Sequence, residues 1–502
     1  MLKRCLLGGL LIAALSGGAT ATVALNEVGG IADEVFRNTI SAPAGVVTPE
    51  YNGGPETFLV LGSDRRVGAK DAYDRTDPPH SDTILLIRFD PEQDQTSVLS
   101  IPRDLMVNIR LPNGQIAADE KVNAAYTLGN KYGGARGGIV LAAETIEREV
   151  FPGLHLNGII DVSFAGFIKV VDTLGCAYVN VDHRYYNVNL GSQETDYTSI
   201  NLQPGYQKLC YENALDYVRY RHTDNDFVRV ARQQDFIRDL REQISPSNVS
   251  GEIETVAKAV GRAISSTIKG SASELIELAK LIAFSQGKPL RQVKFRSASD
   301  NAVLGNGGSY VTSTPALERA TLDDFLHGHE ALALPPKAPS THSSAHHHGS
   351  SSSSSSSLRA LGLVPTTSTD EGEAVKASFN VPFRVLYPSA QTVQAEQQTV
   401  RAYTLNDQQN DLHHAYVEVW QQNIIGGYYD LEGTDWLNPP VFAHAHRETI
   451  GGRSFLLVDD GSHIHEIGWR DGRVLYWVTN TLLEELSNAQ MVAIAKSAQP
   501  LH

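Results

Sequence analysis

Cysteine, basic charge and long apolar runs are all scarce in this chain, and each scarcity excludes something. Only three cysteines occur among 502 residues, and Cys5 sits in an N-terminal apolar run. Cys176 and Cys210 are therefore the sole pair left for a disulfide in an oxidising compartment. The reading predicts that they form one, which would stabilise the fold by about 3 to 4 kcal/mol; two separate buried thiols are the alternative. Lysine and arginine number 42 against 57 aspartates and glutamates, a net charge of −15. Such a balance argues against general nucleic-acid binding, which usually needs a basic surface. Any anion site must be local.

The apolar run extends from Cys5 to about Ala24, follows Lys3 and Arg4, and meets no charge until Glu27. At roughly 20 residues it is long enough to cross a bilayer, with the basic flank on the cytoplasmic side. The expectation is a single-pass anchor over 1–25 at the cell membrane, with the remaining chain outside. Small residues in "GGATATVA" support the rival reading, a cleaved secretory signal that leaves a secreted protein.

Residues 26–54 read as a tether. From 55 to 330, apolar runs such as "ETFLVLGSD", "SDTILLIRFD" and "TSVLSIPRD" alternate with helical spacing in 139–150 and in "FAGFIKVVDTLG". This alternation predicts an α/β fold, a central sheet covered by helices. "NALDYVRYRH" predicts a helix, and "VRVARQQDFIRDLREQI" an amphipathic one that displays its charges. Further helices are expected in "ETVAKAVGRAI" and "ASELIELAKLIAF". Residues 331–376 turn to Ser, Pro, Thr and His, with eight consecutive serines from Ser350 to Ser357, and read as a flexible linker. His346, His347 and His348 within it read as low-complexity drift. From 377 to 502, strand patterning returns and closes on a helix with Ser487 as its N-cap, a small α+β domain. His444 with His446, and His463 with His465, form two H-x-H pairs that read as solvated strand faces.

Charged residues gather at the predicted strand ends, where open α/β sheets bind ligands. Asp64 and Asp82 flank buried strands, and two carboxylates suit Mg²⁺ together with phosphate oxygens. Arg66, Arg103, Arg219, Arg221, Arg229 and Arg232 are the guanidinium groups available to surround a diphosphate. Against this stands surface pairing with Asp216, Asp224, Asp226, Asp235 and Asp239, each pair worth little.

The ordered motifs G-x-D-x-R (Gly62, Asp64, Arg66), S-D-T (Asp82), S-I-P-R-D (Ser100 to Asp104), K-x-N-x-A-Y (Lys121 to Tyr126) and R-x-R followed by D-F-x-R-x-x-R-Q resemble the LytR-CpsA-Psr family of cell-wall glycopolymer transferases. The likeness spans about residues 56–245. It implies a long apolar pocket for a polyprenyl chain, with candidate walls at Phe164, Phe167, Ile168, Val171 and Leu174. It also implies Mg²⁺-assisted transfer, with Mn²⁺ as a substitute, of a glycopolymer from a polyprenyl-diphosphate carrier to peptidoglycan at the cytoplasmic membrane. Asp64 and Asp82 match the metal carboxylates. Arg103, Arg219, Arg221, Arg229 and Gln233 match the diphosphate group, and Lys121 and Asp226 match further polar residues of the site. Asp104 and Asp226 are candidate proton acceptors. The stretch between Asp64 and Asp82 is longer than the family's spacing, the segment from Arg221 to Asp226 is shorter, and the C-terminal domain does not match the family's accessory domain. A non-catalytic binder or regulator of lipid-linked glycan and a polyprenyl-diphosphate phosphatase are the alternative functions.

Overall fold

The computed structural model describes residues 38–43, 45–48, 53–64, 79–188, 199–220, 224–243, 263–268, 290–303, 308–328, 334, 357–367, 370, 373–374, 376–377, 380–422 and 426–501. The expected anchor, most of the tether, Arg66, Arg221, His346–His348 and nearly all of the two helices expected within 254–284 lie outside these residues. Among the described residues no helix is long and apolar enough to cross a membrane.

Along the chain come strands β1 (Glu56–Ser63), β2 (Ser81–Asp90), β3 (Gln95–Ser100), β4 (Met106–Arg110) and β5 (Ile116–Lys121), helix α1 (Ala124–Thr145), strand β6 (Gly158–Ser163) and helix α2 (Phe164–Thr173). Next are β7 (Ala177–Val181), β8 (Tyr185–Asn187), β9 (Ile200–Leu202), β10 (Gly205–Leu209), α3 (Tyr211–Arg219) and α4 (Asp226–Gln243). β11 (Ile264–Ser266), β12 (Leu290–Val293), β13 (Ser299–Val303), β14 (Ser309–Thr312) and α5 (Pro315–His327) follow. Ile264, expected to close a helix, instead opens a strand.

The chain divides into two compact units: Met1–Ala177, Cys210–Leu215 and Ile244–His329 form one; Tyr178–Leu209, Asp216–Gln243 and Glu330–His502 form the other. In the first, a six-stranded mixed sheet runs in the order β11-β6-β1-β2-β3-β12. β1 is parallel to β6 and antiparallel to β2, and β3 is parallel to β12. Its central strands are buried on both faces, with Phe58, Leu59, Leu61, Ile84, Leu85, Leu86, Val98 and Leu99 nearly inaccessible. That burial explains continuous apolar runs in place of alternation. The Ser163 side chain accepts a hydrogen bond from the Gly166 amide at the start of α2, and Gly175 ends it with φ +90°. Cys176 and Cys210 are joined as a disulfide, with Cα atoms 4.8 Å apart.

In the second unit, β18 (Glu396–Asn406), β19 (Leu412–Gln421), β20 (Tyr428–Thr434), β21 (His446–Ile450), β22 (Arg453–Asp459), β23 (Ile464–Asp471) and β24 (Val474–Thr479) form one antiparallel sheet, ordered β18-β19-β20-β24-β23-β22-β21. They follow the short strands β15 (Leu363–Pro365), β16 (Leu386–Pro388) and β17 (Ala390–Thr392), and are followed by helix α6 (Asn488–Ser497) and β25 (Ala498–Pro500). Ser487 and Gln490 cap α6 reciprocally. One face of the sheet packs Tyr416, Trp420, Leu431 and Trp469 against Met491 and Val492 of α6. The other gathers Trp436, Leu475 and Trp477 with Tyr178 and Tyr206.

Both faces bury acids. Glu418 lies among the aromatic residues of the α6 side with no exposure, and burial pushes its carboxyl well above the ordinary range, with Asp370 adding to the rise. Across the sheet, Glu432 accepts from the Tyr403 hydroxyl at 2.6 Å and the Tyr206 amide at 3.1 Å.

Two outcomes follow from this architecture. Replacing Cys176 and Cys210 together with serine is expected to cost about 3 to 4 kcal/mol; a urea midpoint unchanged from the parent would contradict it. As pH rises through the ordinary glutamate range near 4.5, the unfolded chain ionises while folded Glu418 keeps its proton, so stability falls with rising pH. Glu418→Gln removes that loss, and is expected to raise the urea midpoint above the parent's near pH 8 with little gain below about pH 4.5. Equal urea midpoints at both pH values would show that Glu418 is not the source.

Candidate active site

Register brings three charged segments of the first unit to one end of its sheet. Ser63 of β1 pairs with Ser81 of β2 at a bulge, and Leu85 of β2 pairs with Ser100 of β3. Asp64 just past β1, Asp82 near the start of β2, and Arg103 with Asp104 just past β3 therefore share an edge. The hairpin β4-β5 returns Lys121 to the same place.

There the signs alternate. Arg103 Nη1 lies 2.7 Å from Asp82 Oδ1, and Arg103 Nε lies 3.7 Å from Asp104 Oδ1. Lys121 Nζ lies 2.9 Å from the same Asp104 oxygen and 5.5 Å from the ring centre of Tyr310. Asn123 donates to Asp82 Oδ1 at 3.4 Å, and its amide bonds the Arg103 carbonyl at 3.2 Å. Asp104 is buried while Lys121 and Asp82 stay about one-third exposed. Asp64 Oδ1 accepts from the His80 amide at 2.5 Å, and its Oδ2 lies 3.9 Å from His80 Nδ1. Asp82 and Asp104 thus face Arg103 and Lys121, and Asp64, held by His80, adds a third carboxylate at the same end of the sheet. The array carries an excess of carboxylate, as a site for a hard divalent cation and phosphate oxygens requires.

Along the candidate pocket wall, Val171 of α2 is buried, whereas Phe164, Phe167 and Ile168 on α2 and Leu174 just past its end are half-buried.

In the second unit, α4 corrects the expectation of displayed charges. Arg229, Arg232, Gln233, Arg238 and Arg241 are all buried. Arg229 pairs with Asp226 one turn back, and Gln233 donates to the Val218 carbonyl at 3.0 Å. Arg219 is half-buried in the last turn of α3. Arg232 has no exposure. It donates to the Tyr185 hydroxyl at 3.0 Å, to the Tyr220 carbonyl at 2.8 Å and to Asp224, and stacks 4.6 Å from the Tyr185 ring. The Tyr185 hydroxyl in turn donates a hydrogen bond to Asp182 Oδ1 at 2.5 Å. Burial pushes the Asp182 carboxyl up, but His183 and Arg232 more than offset it and hold it below the ordinary range. Of the pairs weighed as surface salt bridges, Arg229–Asp226 and Arg232–Asp224 form and are buried, while Asp235 and Asp239 meet Arg238; the donors of Arg232 are turned inward.

Asn123 sits inside the K-x-N-x-A-Y motif and His80 immediately precedes S-D-T, so both were within reach of the sequence. Tyr310 and the Tyr126–Asp161 hydrogen bond (3.2 Å, buried) carried no signal beyond a lone acid in an apolar strand.

The sequence profile of the LytR_cpsA_psr family matches residues 28–323. The chain belongs to the LytR-CpsA-Psr family. It is 25% identical over 270 residues to biofilm regulatory protein A of Streptococcus mutans, covering 53% of this chain and 62% of that one. To the polyisoprenyl-teichoic acid–peptidoglycan teichoic acid transferase TagU of Oceanobacillus iheyensis it is 32% identical over 201 residues, covering 39% and 54%. To the polyisoprenyl-teichoic acid–peptidoglycan teichoic acid transferase TagV of Bacillus subtilis it is 26% identical over 206 residues, covering 40% and 49%. The chain therefore spans about half to two-thirds of the length of these relatives. The crystal structure of B. subtilis TagV aligns with 55% of this chain and 98% of its own at 22% identity and a TM-score of 0.42.

For the buried arginine, Arg232→Ala is expected to destabilise the protein by about 3 to 5 kcal/mol, because it removes the charge paired with Asp224 and the donors to Tyr185 and the Tyr220 carbonyl in the interior. Arg232→Lys should recover less than half, lacking the planar fork. A urea curve for the alanine variant matching the parent would refute this role.

Proposed function

We propose that this protein is a phosphotransferase that moves a glycopolymer from a polyprenyl-diphosphate carrier to peptidoglycan. The observation that carries this reading is the Asp82–Arg103–Asp104–Lys121 array at the shared strand ends of a LytR-CpsA-Psr chain. Relatives named as teichoic acid transferases support it.

In this reading Asp64 and Asp82 would hold Mg²⁺, or Mn²⁺ in its place, which when bound would supply charge neutralisation at the diphosphate. The acceptor hydroxyl oxygen attacks the phosphorus that bears the sugar, the bond to the bridging oxygen breaks, and polyprenyl phosphate departs with the bonding pair. Arg103 and Lys121 stabilise the negative charge that grows on the departing group. Asp104, the carboxylate of the array not assigned to the cation, takes the acceptor's proton. The family motif also assigns Arg219, Arg221, Arg229 and Gln233 to diphosphate binding, and Arg66 joins them by its place in the G-x-D-x-R motif. Half-buried apolar side chains of α2 suit the lipid chain. An N-terminal anchor would hold the domain outside the membrane, beside the lipid carrier.

Detergent-solubilised full chain with a polyprenyl-diphosphate sugar and peptidoglycan tests this. Asp82→Ala and Arg103→Ala are each expected to lower kcat by about 100-fold or more, with the circular dichroism spectrum retained. Release of phosphate at a rate indifferent to peptidoglycan would favour a phosphatase. Lipid binding without turnover by the parent would favour a silent binder.

A further inference from the structure

The second unit holds a cluster that the activity above does not use. Asp460 lies in the turn between β22 and β23, His465 on β23, and Glu484 in the turn between β24 and α6. All three are buried, at 3%, 4% and 9% exposure. His465 was expected on a solvated face; it is turned inward instead. One potential ligand atom from each residue falls within 4.8 Å of the others.

The surroundings are built to hold these groups. Asp460 Oδ1 accepts from the Ser462 amide at 2.8 Å, the Ser462 hydroxyl at 2.8 Å and the His463 amide at 2.7 Å. Its Oδ2 is buried and accepts no hydrogen bond among the described residues, with His463 Nδ1 3.7 Å away. His465 Nδ1 lies 3.0 Å from Glu484 Oε1, and His463 Nδ1 lies 3.6 Å from Glu484 Oε2. His463 also meets the Ser462 hydroxyl at 2.8 Å and is the partly exposed member. Asn480 pins the framework, donating to the carbonyls of Ile464 and Leu486 at 3.0 Å each. Arg238 of α4 acts on Glu484 by charge but is paired to Glu466 at 3.4 Å and Asp235 at 2.8 Å.

These spacings suit a coordination shell. Zinc–ligand bonds of about 2.0 to 2.1 Å in a tetrahedron place neighbouring ligand atoms about 3.3 to 3.4 Å apart, between the short and long separations seen. Two carboxylates with imidazole match a borderline first-row cation, whereas Mg²⁺ prefers oxygen alone. We propose that Asp460, His465 and Glu484 bind a divalent cation of the zinc class, with His463 as the outer, fourth ligand. The ion ties the β22–β23 turn to the segment before α6.

Zinc titration of the chelator-stripped full chain, followed by metal analysis after gel filtration, tests the site. The parent is expected to retain about one zinc per chain, as are Asp82→Asn and a variant with His346, His347 and His348 changed to alanine. Asp460→Asn, His465→Gln and Glu484→Gln are expected to bind at least about 100-fold more weakly, since even supporting residues cost 10 to 100-fold. Zinc retained equally by all three, or by none including the parent, overturns the proposal. Should those variants not fold, zinc-soaked crystals of the parent decide: an anomalous peak between Asp460, His465 and Glu484 sustains it, and no peak there overturns it.

Discussion

A guanidinium with no exposure imposes the constraint on which the arginine-bearing half of this protein depends. Arg232 cannot keep its charge in the interior unless its donors and charge are matched. Tyr185, Tyr220 and Asp224 do this from three separate segments. One side chain thereby ties together the exit of α3, the segment before α4 and the start of β8, next to the turn that carries Asp182.

A different solution serves the first unit. There Arg103 and Lys121 lie at the sheet edge, partly exposed, alternating with Asp82 and Asp104. Such an array is preorganised yet open to a ligand: incoming phosphate oxygens or a cation can replace protein partners without leaving a charge unmatched. Burial separates the two roles. The inward arginine of α4 maintains architecture, and the edge arginine after β3 is available for chemistry.

The second unit shows what buried acids do when a sheet has two covered faces. Glu418, Asp430, Glu432 and Glu466 are all inaccessible, each on a strand whose neighbours are aromatic. Those with donors nearby, such as Glu432 with Tyr403 and Tyr206, are held by hydrogen bonds. Asp430 takes its bonds from Asn180, 250 residues away in sequence. Pairing across that distance has no local trace.

Much of the fold and part of the site were legible in the residue order. Apolar runs marked β1, β2, β3 and β6 because strands buried on both faces must be continuously apolar, and Ser487 announced α6 because an N-terminal amide needs an acceptor. The charged groups at the strand ends followed from the same reading. Tertiary structure decided which charges are inside: the apolar stripe of α4, at Val228, Ala231, Phe236 and Leu240, looks the same whether its arginines meet water or tyrosines. It likewise decided that His465 turns inward to meet Asp460 and Glu484, since the period of a strand says that faces alternate but not which of them another element covers. Local spacing determines what a segment can form. Burial, which sets the worth of every charge in this protein, comes from partners that only the folded chain brings near.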